Sequence, residues 1–160
     1  TFCGSWHRCG TRTAGKKNRF VHRLHRFSQT NQKKATTMGD DRDPQTYAIL
    51  GACYTVHGVK GCGFHEPVYH ECLAIEFEFL DIPYVHEQPY LLDYRDRQLQ
   101  SKYFADFVCY SEVLLELKAV DKLTDKHVAQ TINYLKSSGL RRALLINFGA
   151  PSLEFKRIVL

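Results

Sequence analysis

FADFVCYSEVLLELKA, residues 104–119, decides the fold, because it is too apolar for a surface segment and yet carries Asp106, Glu116 and Lys118. β-Branched and aromatic residues dominate it, and Tyr110-Ser111-Glu112 supplies a reversal, so the stretch reads as two strands joined by a tight turn. With a period of two, Leu114, Glu116, Lys118 and Val120 share one face of the second strand, and Val113, Leu115, Leu117 and Ala119 share the other. Both faces are mostly apolar, which is the mark of a central strand covered on both sides. The charges then lie where an unpaired charge is expensive. Antiparallel pairing about a turn at residues 110–112 sets Asp106 opposite Glu116. Two carboxylates facing each other beside one lysine repel unless a cation joins them or they share a proton, which makes this a candidate metal site. The structural alternative, a buried or edge salt-bridge network, has to balance two acids with a single lysine.

Working outward, three strands over about 84–94, 98–110 and 113–120 form a meander, the first two joined by Tyr94-Arg95-Asp96-Arg97. Before them, Asp43-Pro44 caps and opens a helix with the apolar stripe Ile49, Leu50, Cys53 and Val56, ending near Gly58. After the turn Gly61-Cys62-Gly63, a second helix carries Val68, Cys72, Ile75 and Phe79 as its stripe and stops at Ile82-Pro83. A third helix runs from about Asp125 to Ser138 with Val128, Ile132 and Leu135 inward and Gly139 as C-cap. Strands at 143–148 and 155–160 complete the order α, α, β, β, β, α, β, β. That order predicts an α/β fold, a mixed sheet flanked by helices on both faces.

At 160 residues the chain suits one domain with a real core. The formal net charge of +5 conceals a division. Residues 1–37 hold nine Lys or Arg and no Asp or Glu, so the remaining 13 basic residues meet all 17 acidic ones; the arm carries +9 and the rest −4. An arm of residues 1–42 therefore precedes a folded domain of residues 43–160. Its Ser/Thr/Gly content and lack of periodicity fit a tail, disordered alone, that binds phosphate backbones. Its acid-free, Arg-rich composition fits a mitochondrial targeting remnant equally well. Cys3, Cys9, His22 and His25 form a C-x5-C-x12-H-x2-H series whose spacings miss those of zinc fingers, and coincidence in a biased tail explains them better. No apolar run approaches the roughly 20 residues of a membrane span and no hydrophobic signal segment opens the chain, so a soluble protein without a membrane partner is expected. Six cysteines without a C-x-x-C pair are expected to be reduced thiols in an intracellular compartment, the mitochondrial matrix being one that suits the arm.

Three further positions bear on the site. Glu66 lies in the first turn of the second helix, three residues before Tyr69, and Gln130 and Tyr134 lie four apart on the third, with His127 three residues earlier. Taken singly, Glu66 is explained as an acid complementing the helix dipole, and the other three as a solvated face. Taken together with Asp106-x9-Glu116-x-Lys118, they make the chain resemble the PD-(D/E)XK nuclease superfamily. The string Gly63-x-x-Glu66-x-x-Tyr69 narrows the resemblance to the GxxExxY proteins within it. Val56-His57, Ala105-Asp106-Phe107, Leu115 to Val120, His127-x-Ala129-Gln130-x-x-x-Tyr134-Leu135 and Leu144 to Gly149 follow in the family's order. Cys62 stands where the family usually has proline, and Asp96-Arg97 where it has glycine. Neither departure touches a charged position, and the basic arm has no family counterpart.

The resemblance implies a restriction-endonuclease-like fold and a site in which Asp106, Glu116 and the Leu117 carbonyl bind Mg²⁺ or Mn²⁺, with Glu66 as a further acidic ligand, directly or through water. It implies that Lys118 orients and activates the attacking water, and that Gln130 and Tyr134 place water or the nucleic-acid backbone. The expected reaction is phosphodiester hydrolysis in DNA or RNA, bound by the active-site cleft and the basic arm. Two other classes stay open: a non-catalytic scaffold or RNA-binding component of a large ribonucleoprotein such as a mitochondrial ribosome, and a nuclease-like transcription or defence factor that binds DNA without cutting it.

Overall fold

The structure, a computed structural model, describes residues 43–160; the basic arm and its cysteine and histidine series lie outside the described residues. The elements are α1 (Pro44–Lys60), α2 (Glu66–Phe79), β1 (Tyr84–Tyr94), β2 (Arg97–Cys109), β3 (Val113–Lys118), α3 (Asp125–Ser138), β4 (Arg142–Asn147) and β5 (Glu154–Val159), in the predicted order. They build one five-stranded sheet in the spatial order β1-β2-β3-β4-β5. Strands β1 to β3 are the antiparallel meander, β3 and β4 are parallel with α3 as the crossover, and β5 returns antiparallel to β4.

The middle position of β3 explains its composition. On one side Val113, Leu115 and Leu117 join Ile49, Cys53, Tyr69, Leu73 and Phe77 from α1 and α2. On the other, Leu114 packs with Tyr103, Ala105, Ala143 and Leu135 of α3. The hairpin register is the expected one, with Phe107 opposite Leu115, Val108 opposite Leu114 and Cys109 opposite Val113. Tyr110 and Ser111 take the turn with φ of 55° and 57°, and Arg95 and Asp96 make the β1–β2 turn with φ of 48° and 59°. The start of α1 is fixed to the far end of the sheet. Asp43 accepts from the Gln45 amide at 3.2 Å and the Thr46 hydroxyl at 2.6 Å, and pairs with Arg142, which also reaches Glu112. Burial works against the Asp43 charge, but the Thr46 and Arg142 contacts outweigh it and hold the carboxyl below its usual range.

Three expectations need correction. Helix α1 passes Gly58 and ends at Lys60, because the residue that needs the left-handed region is Gly61, with φ of 71°. The buried line of α2 is Tyr69, Leu73 and Phe77; Val68 and Cys72 are only half-buried, and Ile75 and Phe79 face outward at 66% and 62% exposure. In α3 the fully buried residues are Leu135 and Thr131, while Val128 and Ile132 are half-buried. Thr131 goes inside without loss because its hydroxyl donates to the His127 carbonyl at 2.9 Å. No helix among the described residues is long and apolar enough to cross a membrane. Cys53, Cys62, Cys72 and Cys109 are free thiols.

Candidate metal centre

The C-terminal half of β3 presents Glu116 and Lys118 to the α3 side. Glu116 is 3% exposed. Its Oε1 accepts from Lys118 Nζ at 3.0 Å, and its buried Oε2 has no hydrogen-bond partner. Lys118 Nζ also donates to the Leu117 carbonyl at 2.8 Å, an oxygen that keeps a second lone pair. Burial, then the nearby Asp106 carboxylate, pushes Glu116 up to about 7, although Lys118 pulls the other way. Burial opposes the charge of Lys118, but Glu116, together with Glu66 and Asp106, outweighs it and holds the amine above its ordinary value.

Asp106 stands where the sheet changes hands. The β2–β3 ladder ends at Phe107 and Leu115, so Asp106 and Glu116 are not a ladder pair; instead Asp106 Oδ2 accepts the Leu117 amide at 2.6 Å. Its pairing with β1 lapses at one position within an unchanged register: His86 pairs with Phe107 and Gln88 with Ala105, leaving Glu87 and Asp106 out. Glu87 takes φ of 53°, a strained value for a residue with a side chain. Across this point β2 turns over: Phe107 and Cys109 belong to the α1/α2 core, Tyr103 and Ala105 to the α3 core. Asp106 thus links the two sides. Burial raises its carboxyl above the ordinary range, against the Leu117 amide and the neighbouring His70.

From the α2 side come Glu66 and a residue the sequence reading did not single out. Glu66 is the first residue of α2 and His70 lies one turn later, on the same face. One ligand atom each from Glu66, His70 and Asp106 lies within 4.8 Å of the others. His70 Nε2 is 3.9 Å from Asp106 Oδ2, and His70 Nδ1 is 3.1 Å from His86 Nε2 on β1. Burial lowers the His70 pKa, with Asp106 opposing. The spacing Glu66-x-x-x-His70 was the available signal for His70. His86 had none, because only the cross-strand register brings it there. The flanking glycine and tyrosine are structural: Gly63 takes φ of 107°, and buried Tyr69 stacks on Phe148 at 4.7 Å while its hydroxyl donates to the Gly61 carbonyl at 2.9 Å. The loop before α2 is thereby tied down and Glu66 with it.

From α3, Gln130 Nε2 donates to the Tyr134 hydroxyl, and the Tyr134 ring stacks on Tyr103 with centroids 3.6 Å apart. The two residues line an open cleft of about 610 Å³ together with Lys118, Lys126, His127 and Asn133. Lys118 is the residue shared between this cleft and the acidic group; Glu66, Asp106 and Glu116 all lie outside its lining. His127 accepts the Thr124 amide at its Nδ1, 3.2 Å away, and so helps to cap α3. Buried Tyr103 has an unpartnered hydroxyl whose pKa is pushed far up, first by burial and then by Glu116. The chain leaving Lys118 is fixed by Asn147, fully buried, whose Oδ1 accepts the Val120 amide at 3.0 Å and whose Nδ2 donates to the Val120 carbonyl at 2.8 Å.

The arrangement is short of positive charge. Three carboxylates meet one lysine, and two of them already resist ionisation, so the group either keeps a proton near neutral pH or takes a cation. The unpartnered Glu116 Oε2 is an oxygen of the kind a hard dication takes.

Residues 43–158 match the family model of the PD-(D/E)XK nuclease superfamily. A solved structure titled "Crystal structure of SSO0001" is similar over 89% of this chain and 78% of that one, at 11% identity and a TM-score of 0.49. Among curated proteins none matches.

Proposed function

Because the chain belongs to the PD-(D/E)XK nuclease superfamily, we propose that it hydrolyses phosphodiester bonds in DNA or RNA with the help of Mg²⁺ or Mn²⁺, as one of the GxxExxY proteins. The observation that carries this reading is the pairing of Glu116, buried with a free Oε2, with Nζ of Lys118 at 3.0 Å, Lys118 being a lining residue of the open cleft. Glu116, Asp106, Glu66 and the Leu117 carbonyl would hold the ion. When bound, a divalent ion supplies Lewis-acid polarisation of a phosphate oxygen and lowers the pKa of a coordinated water.

The remaining roles fall to the chain itself. Lys118 holds its amine charged beside Glu116, where it orients the attacking water and offsets the negative charge gathering on phosphorus. Asp106, through the Leu117 amide, fixes the strand segment on which Glu116 and Lys118 stand. Gln130 and Tyr134, preset by their mutual hydrogen bond and the Tyr103 stack, line the path of the nucleic-acid backbone. Purified protein incubated with plasmid, single-stranded DNA and structured RNA tests this: cleavage of at least one in Mn²⁺ and none in EDTA is expected, and no cleavage of any would overturn it.

The arm favours a second reading. Nine basic and no acidic residues over positions 1–37 suit a protein anchored in an RNA-containing assembly such as an organellar ribosome. Co-sedimentation with ribosomal particles, lost at high salt, together with absent cleavage would select that reading.

A further inference from the structure

Two histidines have no part in the reaction just described, yet both adjoin its acids. His70 offers one nitrogen to the space shared with Glu66 and Asp106, and the other to His86. At 3.1 Å the two rings share one proton, so one nitrogen donates and the other accepts. With the proton on His70 Nδ1, the His70 Nε2 lone pair faces Asp106 Oδ2 at 3.9 Å, too far for a hydrogen bond and a separation that two ligands of one ion can span. An imidazole fixed through its second nitrogen, with its first turned to carboxylates, is how metal-bound histidines are held. His86 is itself held by Phe107, with ring centroids 4.7 Å apart. One residue before the Leu117 amide that Asp106 accepts stands Glu116, 3% exposed and with an unpartnered Oε2.

We propose that Glu66, His70 and Asp106 form a mixed nitrogen–oxygen site for a transition-metal dication, with His86 as the positioning residue that presents His70 Nε2. Magnesium demands oxygen ligands in near-ideal octahedral geometry, whereas imidazole favours transition ions. The site therefore selects a transition dication over Mg²⁺. The inference rests on the reading of these acids as metal ligands and is independent of whether the protein cuts nucleic acid.

The test uses the full chain without nucleic acid. Mn²⁺ is titrated by electron paramagnetic resonance with Mg²⁺ as competitor, and the bound ion is examined by electron spin-echo for nitrogen modulation. Wild type is expected to prefer Mn²⁺ by at least about 10-fold and to show imidazole nitrogen coupling. His70→Ala should lose the coupling and about 10–100-fold in Mn²⁺ affinity while Mg²⁺ binding stays within roughly 3-fold, and His86→Phe should keep the coupling but weaken Mn²⁺ about 10-fold. His70→Gln serves if the alanine variant fails to fold. Absence of nitrogen coupling in wild type, or unchanged Mn²⁺ affinity in a folded His70 variant, would overturn the proposal. Nitrogen-coupled Mn²⁺ in a protein that cleaves no substrate would support it and sink the nuclease reading alone.

Discussion

The two faces of β3 come from the same six residues and do opposite things. On the α1/α2 face Val113, Leu115 and Leu117 are fully buried among aliphatic and aromatic side chains. On the α3 face Leu114 is followed by Glu116 and Lys118, and the apolar row ends in an ion pair with one oxygen left over. The contrast teaches that the dry face fixes the strand firmly enough for the other to keep charge out of water. A middle strand with ladders on both sides and a leucine every second residue cannot slip, so Glu116 and Lys118 stay where isolated charges would not go.

The comparison is sharpened most by removing one residue from each face. Glu116→Ala is expected to lower Mn²⁺-dependent cleavage to about a thousandth or less while melting within a few degrees of wild type, because no packed apolar group is lost. Leu115→Ala should do the reverse. It should cost about 2–5 kcal/mol in denaturant unfolding, with cleavage per folded molecule retained under conditions where the fold persists. A third variant probes the join between β3 and β4. A Cβ on Gly149 would lie 2.5 Å from the backbone N and O of Val120, so Gly149→Ala must push back the segment that leaves Lys118. A loss of about 1–3 kcal/mol is expected, together with reduced cleavage.

The smallest effect is a pH dependence that separates the faces without changing shape. Glu116 titrates near 7 in the folded chain, by burial and then Asp106, against an ordinary 4.5. Between those values the native state holds a proton the unfolded chain has lost, so the stability of metal-free wild type falls as pH rises from about 4.5 to about 7. Glu116→Gln, measured in EDTA, should therefore melt higher than wild type at pH 8, by roughly 5 °C, with the difference vanishing below pH about 4.5. Equal melting temperatures at pH 8 would mean that Glu116 is not held under strain.

The sequence made β3 and its hairpin legible because period-two alternation, a reversal with few options and leucine on both faces all agree. The helix ends were legible where glycine is required, as at Gly139, with φ of 71°, and misread at Gly58, where it is not. The α2 stripe was misread because apolar residues nearly encircle that helix: Ile75 and Phe79 are more hydrophobic than Tyr69, yet Tyr69 lies inside because its hydroxyl finds the Gly61 carbonyl. Within the candidate site, period and turn placed Glu116 and Lys118 on one face. The turning-over of β2 at Asp106 left no trace in the residues, because it arises from the interrupted pairing with β1. His86 reaches His70 through that same pairing, which periodicity cannot show.

The most direct test of the central claim is single-turnover cleavage of a susceptible nucleic acid by wild type and Lys118→Ala side by side, in Mn²⁺ and in EDTA. Cleavage by wild type in Mn²⁺ alone, and none by a folded Lys118→Ala protein, is the predicted result. Equal rates in the two proteins, or cleavage that survives EDTA, would contradict it.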